Sequence, residues 1–218
     1  MIRKPPHPVR DALTRALFDG SSLAGRLGQR AVCALYFGYK HREVDPWAYA
    51  SSPYEQRKYA RTLALVEGGG RGRDYARVLE VGCSEGVFTA MLAERGHGRE
   101  VVAIDISRAA VQRAQERCRE WPHVRVERRD AFHAPPGGAF DLIVCAELLY
   151  YAGLRAGAVA RRLAASLAPG GRIVLVHPLP RAAALHAPFR RVPGLALVAE
   201  SAEEDPVRPY ALAAFERI

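Results

Sequence analysis

The sequence predicts an α/β protein built on one mostly parallel, seven-stranded sheet that ends in an antiparallel C-terminal hairpin. Three observations carry this. Short apolar runs at 78–82, 101–105, 124–128, 140–146 and 172–177 alternate with longer segments of helical periodicity, the pattern of parallel strands joined by helical crossovers. The first run ends in a glycine turn, V-L-E-V-G-C-S-E-G at 78–86, that feeds a helical segment at 86–95. The last two runs, 195–199 and 210–216, are joined by a polar, proline-containing stretch too short for a crossover helix, so they are expected to pair antiparallel.

Composition narrows the class. At 218 residues the chain is long enough for one domain with a proper core. No apolar run approaches the ~20 residues that cross a bilayer. The N-terminus, M-I-R-K-P-P-H-P-V-R, lacks the apolar segment of a secretory signal, so the cytoplasm is the expected compartment. Cys33, Cys83, Cys118 and Cys145 are scattered, without a C-x-x-C pair. That argues against a disulfide framework and against zinc, and no metal site is expected. Cys118 and Cys145 read as small buried hydrophobes. The net charge of +9 is almost all arginine, spread without a dense block. It fits nucleic acid, an acidic substrate or an anionic membrane no better than plain solubility.

Taken in order, residues 1–8 are proline-rich and expected to pack loosely. Helices are expected at 10–18 and 23–39, broken by D-G-S-S at 19–22, with Ser22 available to cap the second. Residues 1–45 thus form a helical extension, a lid or a dimer contact, ahead of a main domain at 46–218. Ser52, Pro53 and Glu55 announce a helix to about residue 66, ended by Gly68, Gly69 and Gly70. Tyr59, Leu63 and Val66 recur on its apolar stripe, leaving Arg57 and Lys58 to point elsewhere, as site residues or as a solvated face. Ser107 caps a helix over 107–120, a loop follows at 135–138, and helices are expected at 154–168 and 181–189.

In an open parallel sheet, ligands lie at the C-terminal strand ends near the switch in strand order. Those ends carry Glu80 to Gly86, Asp105, Asp130 with Ala131 and Phe132, Glu147 and His177. The turn presents backbone N–H groups, and Gly82 and Gly86 allow close approach because neither has a Cβ. Asp105 lies about 20 residues past the turn, where a carboxylate accepts from ribose hydroxyls. A nicotinamide dinucleotide wants G-x-G-x-x-G to wrap its pyrophosphate. This turn is G-x-x-x-G, with Ser84 in place of the middle glycine. Together with the terminal hairpin, that favours S-adenosylmethionine, which has no phosphate to cradle.

With E-x-G-x-x-x-G, an acidic end to the second strand, Asp-Ala-Phe after the third and P-G-G before the fifth, the chain resembles the class I methyltransferases, Rossmann-like proteins, over residues 77–176. Asp45-Pro46-Trp47, Ser52-Pro53-Tyr54-Glu55, Arg57, Tyr59, L-E-V-G-C and Ala146-Glu147-Leu148-Leu149-Tyr150-Tyr151 further resemble the nodulation-factor N-methyltransferases (NodS) from about residue 43 to 176. Those enzymes methylate an amino-sugar nitrogen. The resemblance implies S-adenosylmethionine as cofactor and a small-molecule acceptor, an amino sugar or a natural-product intermediate. It implies Glu80, Gly82, Cys83 and Gly86 along the methionine part, Asp105 and Ile106 at ribose and adenine, and Asp130, Ala131 and Phe132 at the adenine. Arg57 and Tyr59 would close over the methionine carboxylate, which suits the fork geometry of arginine.

Methyl transfer to an amine needs a free nitrogen lone pair, so the amine arrives neutral or loses a proton to a base. Glu147 is the first candidate for that contact, with His177, Tyr150 and Tyr151 behind it. Glu147 reads equally as a hydrogen-bonding scaffold, and His177 as a satisfied loop histidine. An O-methyl acceptor is the runner-up. Nucleic-acid methylation is disfavoured: the slot after the fourth strand is A-E-L-L-Y, not D/N-P-P-Y/F, and Cys145 follows Val144, not proline. A catalytically silent scaffold is disfavoured by the intact turn and Asp105. No membrane partner is expected, and a homodimer is compatible with the extension.

Overall fold

The computed structural model describes residues 8–68, 74–133, 136–206 and 208–218. Residues 1–7 of the segment 1–8 expected to pack loosely, Gly69, Gly70 and Pro135 lie outside the described residues, while Pro8 already opens the first helix. Seven strands form one sheet: β1 (Arg77–Val81), β2 (Glu100–Asp105), β3 (Val124–Arg128), β4 (Phe140–Ala146), β5 (Leu167–Pro178), β6 (Leu195–Glu203) and β7 (Tyr210–Arg217). Their order is β3-β2-β1-β4-β5-β7-β6. Strands β1 to β5 pair in parallel, and β7 runs antiparallel to both β5 and β6. The hairpin is therefore antiparallel as expected, with its second strand slotted inside its first. Strand order reverses between β1 and β4, which opens a crevice above their C-terminal ends.

Among the described residues seven α-helices surround the sheet: α1 (Pro8–Leu23), α2 (Gly25–Lys40), α3 (Pro53–Val66), α4 (Val87–Glu94), α5 (Arg108–Arg117), α6 (Ala156–Ala165) and α7 (Ala182–Arg190). Alternation along the strands splits the core in two. Leu79, Ile104, Ile143 and Leu175 face one side with Phe18 of α1, Leu163 of α6 and Phe189 of α7. Val78, Val101, Leu142 and Val144 face the other with Leu63 of α3 and Leu92 of α4. The central strands are buried on both faces, which is why they read as apolar runs, with Glu80 the buried exception in β1.

The structure corrects several boundaries. D-G-S-S does not break the first helix. The Ser21 and Ser22 hydroxyls donate back to the carbonyls of Phe18 and Asp19, so these residues stay within α1. The break falls at Ala24, and Ser22 Oγ instead accepts the Leu154 N–H. Ser52 precedes α3 in an extended conformation without a side-chain cap. Glu55 is turned inward and ion-pairs with Lys58 at 2.7 Å. The fifth strand starts at Leu167, ahead of the expected 172, because Leu167 pairs with Phe140 before the register shifts. Two 3-10 turns, Leu149–Tyr151 and Gly153–Arg155, precede α6 and shorten it.

Candidate active site

The turn after β1 is held from both sides. Gly82 and Cys83 donate their N–H groups to the Ile104 carbonyl at the end of β2. Asp105 accepts the Ser84 N–H at 3.0 Å on one oxygen and the Ser107 N–H at 2.8 Å on the other. Ser84 has φ +50°, a left-handed conformation, so this non-glycine residue is strained into place at the crevice. Gly82 has φ +79° and Gly86 φ +74°. At Gly86 a Cβ would lie 2.9 Å from Ala114 Cβ and 3.0 Å from its Cα. Gly86 therefore lets α4 close on α5 and does not itself line the crevice.

Two cavities meet above the strand ends. The larger encloses about 640 Å³, counting space open to solvent, and reaches Asp105, Ile106, Asp130, Ala131 and Phe132. Its opposite wall is aromatic and comes from the N-terminal helices and the segment after them: Phe37, His41, Trp47 and Tyr49. The smaller, about 500 Å³, is lined by Tyr59, Glu80, Cys83, Phe88 and, from α3, Lys58. Tyr49, Gly82, Ser84, Ala146 and Glu147 border both. The volumes lie in the range of small-molecule sites.

Glu147 stands at the junction. It has φ +53°, and its N–H donates to the Val176 carbonyl. Its carboxylate accepts from Lys58 Nζ at 2.9 Å, Arg208 Nη2 at 2.6 Å and the Tyr150 hydroxyl at 3.1 Å. Burial opposes its charge, but Lys58 and Arg208 outweigh burial and hold its carboxyl far below the usual range. At neutral pH it is an anion whose oxygens already take three donors. Glu80 is the reverse case: burial lifts it to about 8 despite its bond from Thr89.

The other predicted residues divide. Tyr59 lines the smaller cavity, but Arg57 does not reach either one. The Arg57 side chain is 52% exposed and donates to Asp205 at 2.6 Å. Tyr150 lies outside the linings and pins Glu147. His177 is fully buried behind the site: its Nε2 accepts the Leu149 N–H and its Nδ1 meets His186 Nε2 at 3.1 Å. Burial and His186 lower it to about 3, so it is a neutral structural imidazole. Asp130 binds the Phe132 N–H and His133 Nδ1. All four cysteines are buried free thiols. Among the described residues, no cluster could hold a metal ion.

Two residues, Arg208 and His41, were missed, and Lys58 was left open between the site and a solvated face. Lys58 is buried and joins Glu55 to Glu147; its place three residues after Glu55 and four before Thr62 put it on the inward stripe. Arg208 sits in an irregular loop with no periodic signal. His41 lines the larger cavity, near Asp105 and beside Glu85, whose carboxylate also takes the Asp45 N–H and Arg113. Burial lowers the His41 pKa, against the pull of Asp105 and Glu85.

Comparison with known proteins follows this geometry. The family described as Nodulation protein S (NodS) matches residues 39–182. The chain belongs to the NodS family. Nodulation protein S of Bradyrhizobium diazoefficiens is 35% identical over 132 residues, 60% of this chain and 61% of the relative. Nodulation protein S of Sinorhizobium fredii is 33% identical over 141 residues, 62% of each chain. The alignments thus span somewhat under two thirds of these NodS proteins. The crystal structure of the N-methyltransferase NodS from Bradyrhizobium japonicum WM9, in complex with S-adenosyl-L-homocysteine, superposes with a TM-score of 0.76 at 24% identity. It covers 85% of this chain and 98% of the NodS structure. The fold is that of the class I methyltransferases, as the strand pattern and turn predicted.

Proposed function

We propose that this NodS-family protein is an S-adenosylmethionine-dependent N-methyltransferase acting on the amine of a small molecule, with an amino sugar the substrate class that suits its walls best. One observation carries this. Asp105 closes the turn through backbone N–H groups of Ser84 and Ser107 and also lines the larger cavity, where its carboxylate can accept from a ribose hydroxyl. From there the space continues past Gly82 to Glu147 and into the smaller cavity. When bound, S-adenosylmethionine supplies a methyl group on a sulfonium, open to in-line displacement.

Asp105 holds the ribose, Ile106 and Ala131 flank the adenine, and Asp130 faces its edge. Gly82, Cys83 and Tyr59 line the methionine end, where buried Lys58 provides the positive charge first sought in Arg57. Glu147, a fixed anion between the cavities, accepts an N–H from the incoming amine and orients its lone pair. It does not remove a proton, so the amine reacts in its neutral form. Phe37, Trp47 and Tyr49 offer flat apolar surfaces to one face of a sugar ring. A hydroxyl acceptor would have to lose its proton as it is methylated, and the carboxylate at the junction is too weak a base. That favours nitrogen over oxygen.

Titration calorimetry with S-adenosylhomocysteine tests the reading. Wild type is expected to bind, and Asp105→Ala to lose about 1.5–3 kcal/mol, the worth of a hydrogen bond to a charged group. Mass spectrometry of glucosamine-type amines incubated with cofactor is expected to show one added methyl on nitrogen. No heat with the wild type, or unchanged affinity in the variant, defeats the cofactor assignment. Methylation confined to hydroxyl groups defeats the choice of acceptor.

A further inference from the structure

We propose that the outer face of the N-terminal helical hairpin docks on an anionic lipid surface. In α2, Gln29, Cys33, Phe37 and His41 recur every fourth residue on the inner side. Gln29 Nε2 donates to the Ala152 carbonyl at 2.8 Å, Cys33 is buried, and Cys33, Phe37 and His41 wall the larger cavity. Leu27, Ala31, Leu35 and Tyr39 recur at the same spacing two residues earlier, about 200° around the helix. That outer row is in the open: Leu27 is 82% exposed, Leu35 75% and Tyr39 65%. Leu13, Leu17 and Leu23 of α1 and Val44 after α2 are also exposed. Among the described residues these account for seven of the eleven large exposed hydrophobics.

Charge decides the occupant. The first 44 residues hold eight Lys and Arg and only three Asp and Glu, so they account for five of the nine net positive charges. Arg26 and Arg30 are exposed beside the outer row, and Arg42 follows it. An apolar stripe edged by arginines, on a helix too short to cross a bilayer, is the make-up of a helix lying in the interface of an anionic membrane. A second copy fits less well: a two-fold contact places the same patch on both sides and sets these arginines against their own images. The earlier expectation of no membrane partner rested on the absence of a spanning run, and a helix lying in the interface needs none. Docking by the outer row would leave one helix between the lipid surface and the cavity walled by the inner row.

Vesicle flotation tests this with the full chain. Binding is expected to vesicles of phosphatidylcholine mixed with phosphatidylglycerol and not to phosphatidylcholine alone, and to weaken at high salt. Leu27→Glu/Leu35→Glu is expected to reduce binding roughly tenfold or more, and Arg26→Glu/Arg30→Glu likewise. Both should leave S-adenosylhomocysteine affinity unchanged, since neither pair lines a cavity; that affinity also confirms that each variant is folded. Failure to float with phosphatidylglycerol, or wild-type binding by both variants, overturns the proposal. So does a dimer by light scattering that the leucine variant dissolves, which assigns the face to a second copy.

Discussion

Lys58 Nζ lies 2.9 Å from Glu147 Oε1, joining the middle of α3 to the end of β4 beneath both cavities. Both side chains are nearly out of contact with water. Lys58→Met would leave Glu55 and Glu147 short of a cation. Removing one partner of a buried pair typically costs about 3–5 kcal/mol. Urea unfolding of Lys58→Met is expected to show a loss in that range, and a loss under 1 kcal/mol would mean that water already reaches the pair.

Because Glu147 is held ionised, it should not shape the pH dependence of the reaction. For the proposed amine acceptor, the rate is expected to rise with pH until the amine is neutral, following the pKa of the amine itself. Glu147→Gln is expected to reduce kcat tenfold or more while leaving that profile and S-adenosylhomocysteine affinity nearly unchanged. A profile that tracks an enzyme group near neutrality, lost in the variant, would make Glu147 a true base.

His177 is lowered to about 3 and His186 to about 4, mainly by burial. Both fall below the unfolded value of about 6.5. The unfolded chain therefore binds more protons across this window. The stability these neutral rings contribute is full above pH 6.5 and lost as pH falls toward 4 and 3. Nitrogen-correlated NMR is expected to show His177 neutral at pH 5.5 with its proton on Nδ1, since Nε2 accepts the Leu149 N–H. A ring that titrates near 6.5 would show that the pair is open to solvent.

Gly86→Ala is expected to destabilise the protein by about 2–4 kcal/mol, from the left-handed backbone and from crowding against Ala114. Thermal unfolding measures it. A neutral result would mean that α5 can step aside.

What the sequence reveals and what it hides follow from how each residue is placed. The strands were legible because β1 and β4 are buried on both faces, so β4 is apolar but for Asp141 and β1 but for Arg77 and Glu80. Gly82, Asp105 and Asp130 were legible because their chemistry is local to a strand end. Arg57 and Lys58 were confused because they are neighbours on one helix, about 100° apart, and only the phase set by Glu55 and Thr62 tells them apart. Arg208 depends on where the loop between β6 and β7 falls across Glu147, a contact between residues 61 positions apart in sequence. His177 pointed to the site by its strand end, but its ring turns back to His186 of α7. Neighbour packing of that kind has no signature in a linear pattern.

The nesting of β7 between β5 and β6 has a consequence for biosynthesis. β7 comes after all other strands of the sheet, yet it is the partner that joins the hairpin to the rest. Until β7 is made, β5 has one unpaired edge and β6 has no partner on either side, and Phe215 is not yet there to pack against Phe189. Nascent molecules must pass through an interval with raw sheet edges exposed, when holdase chaperones have most to shield.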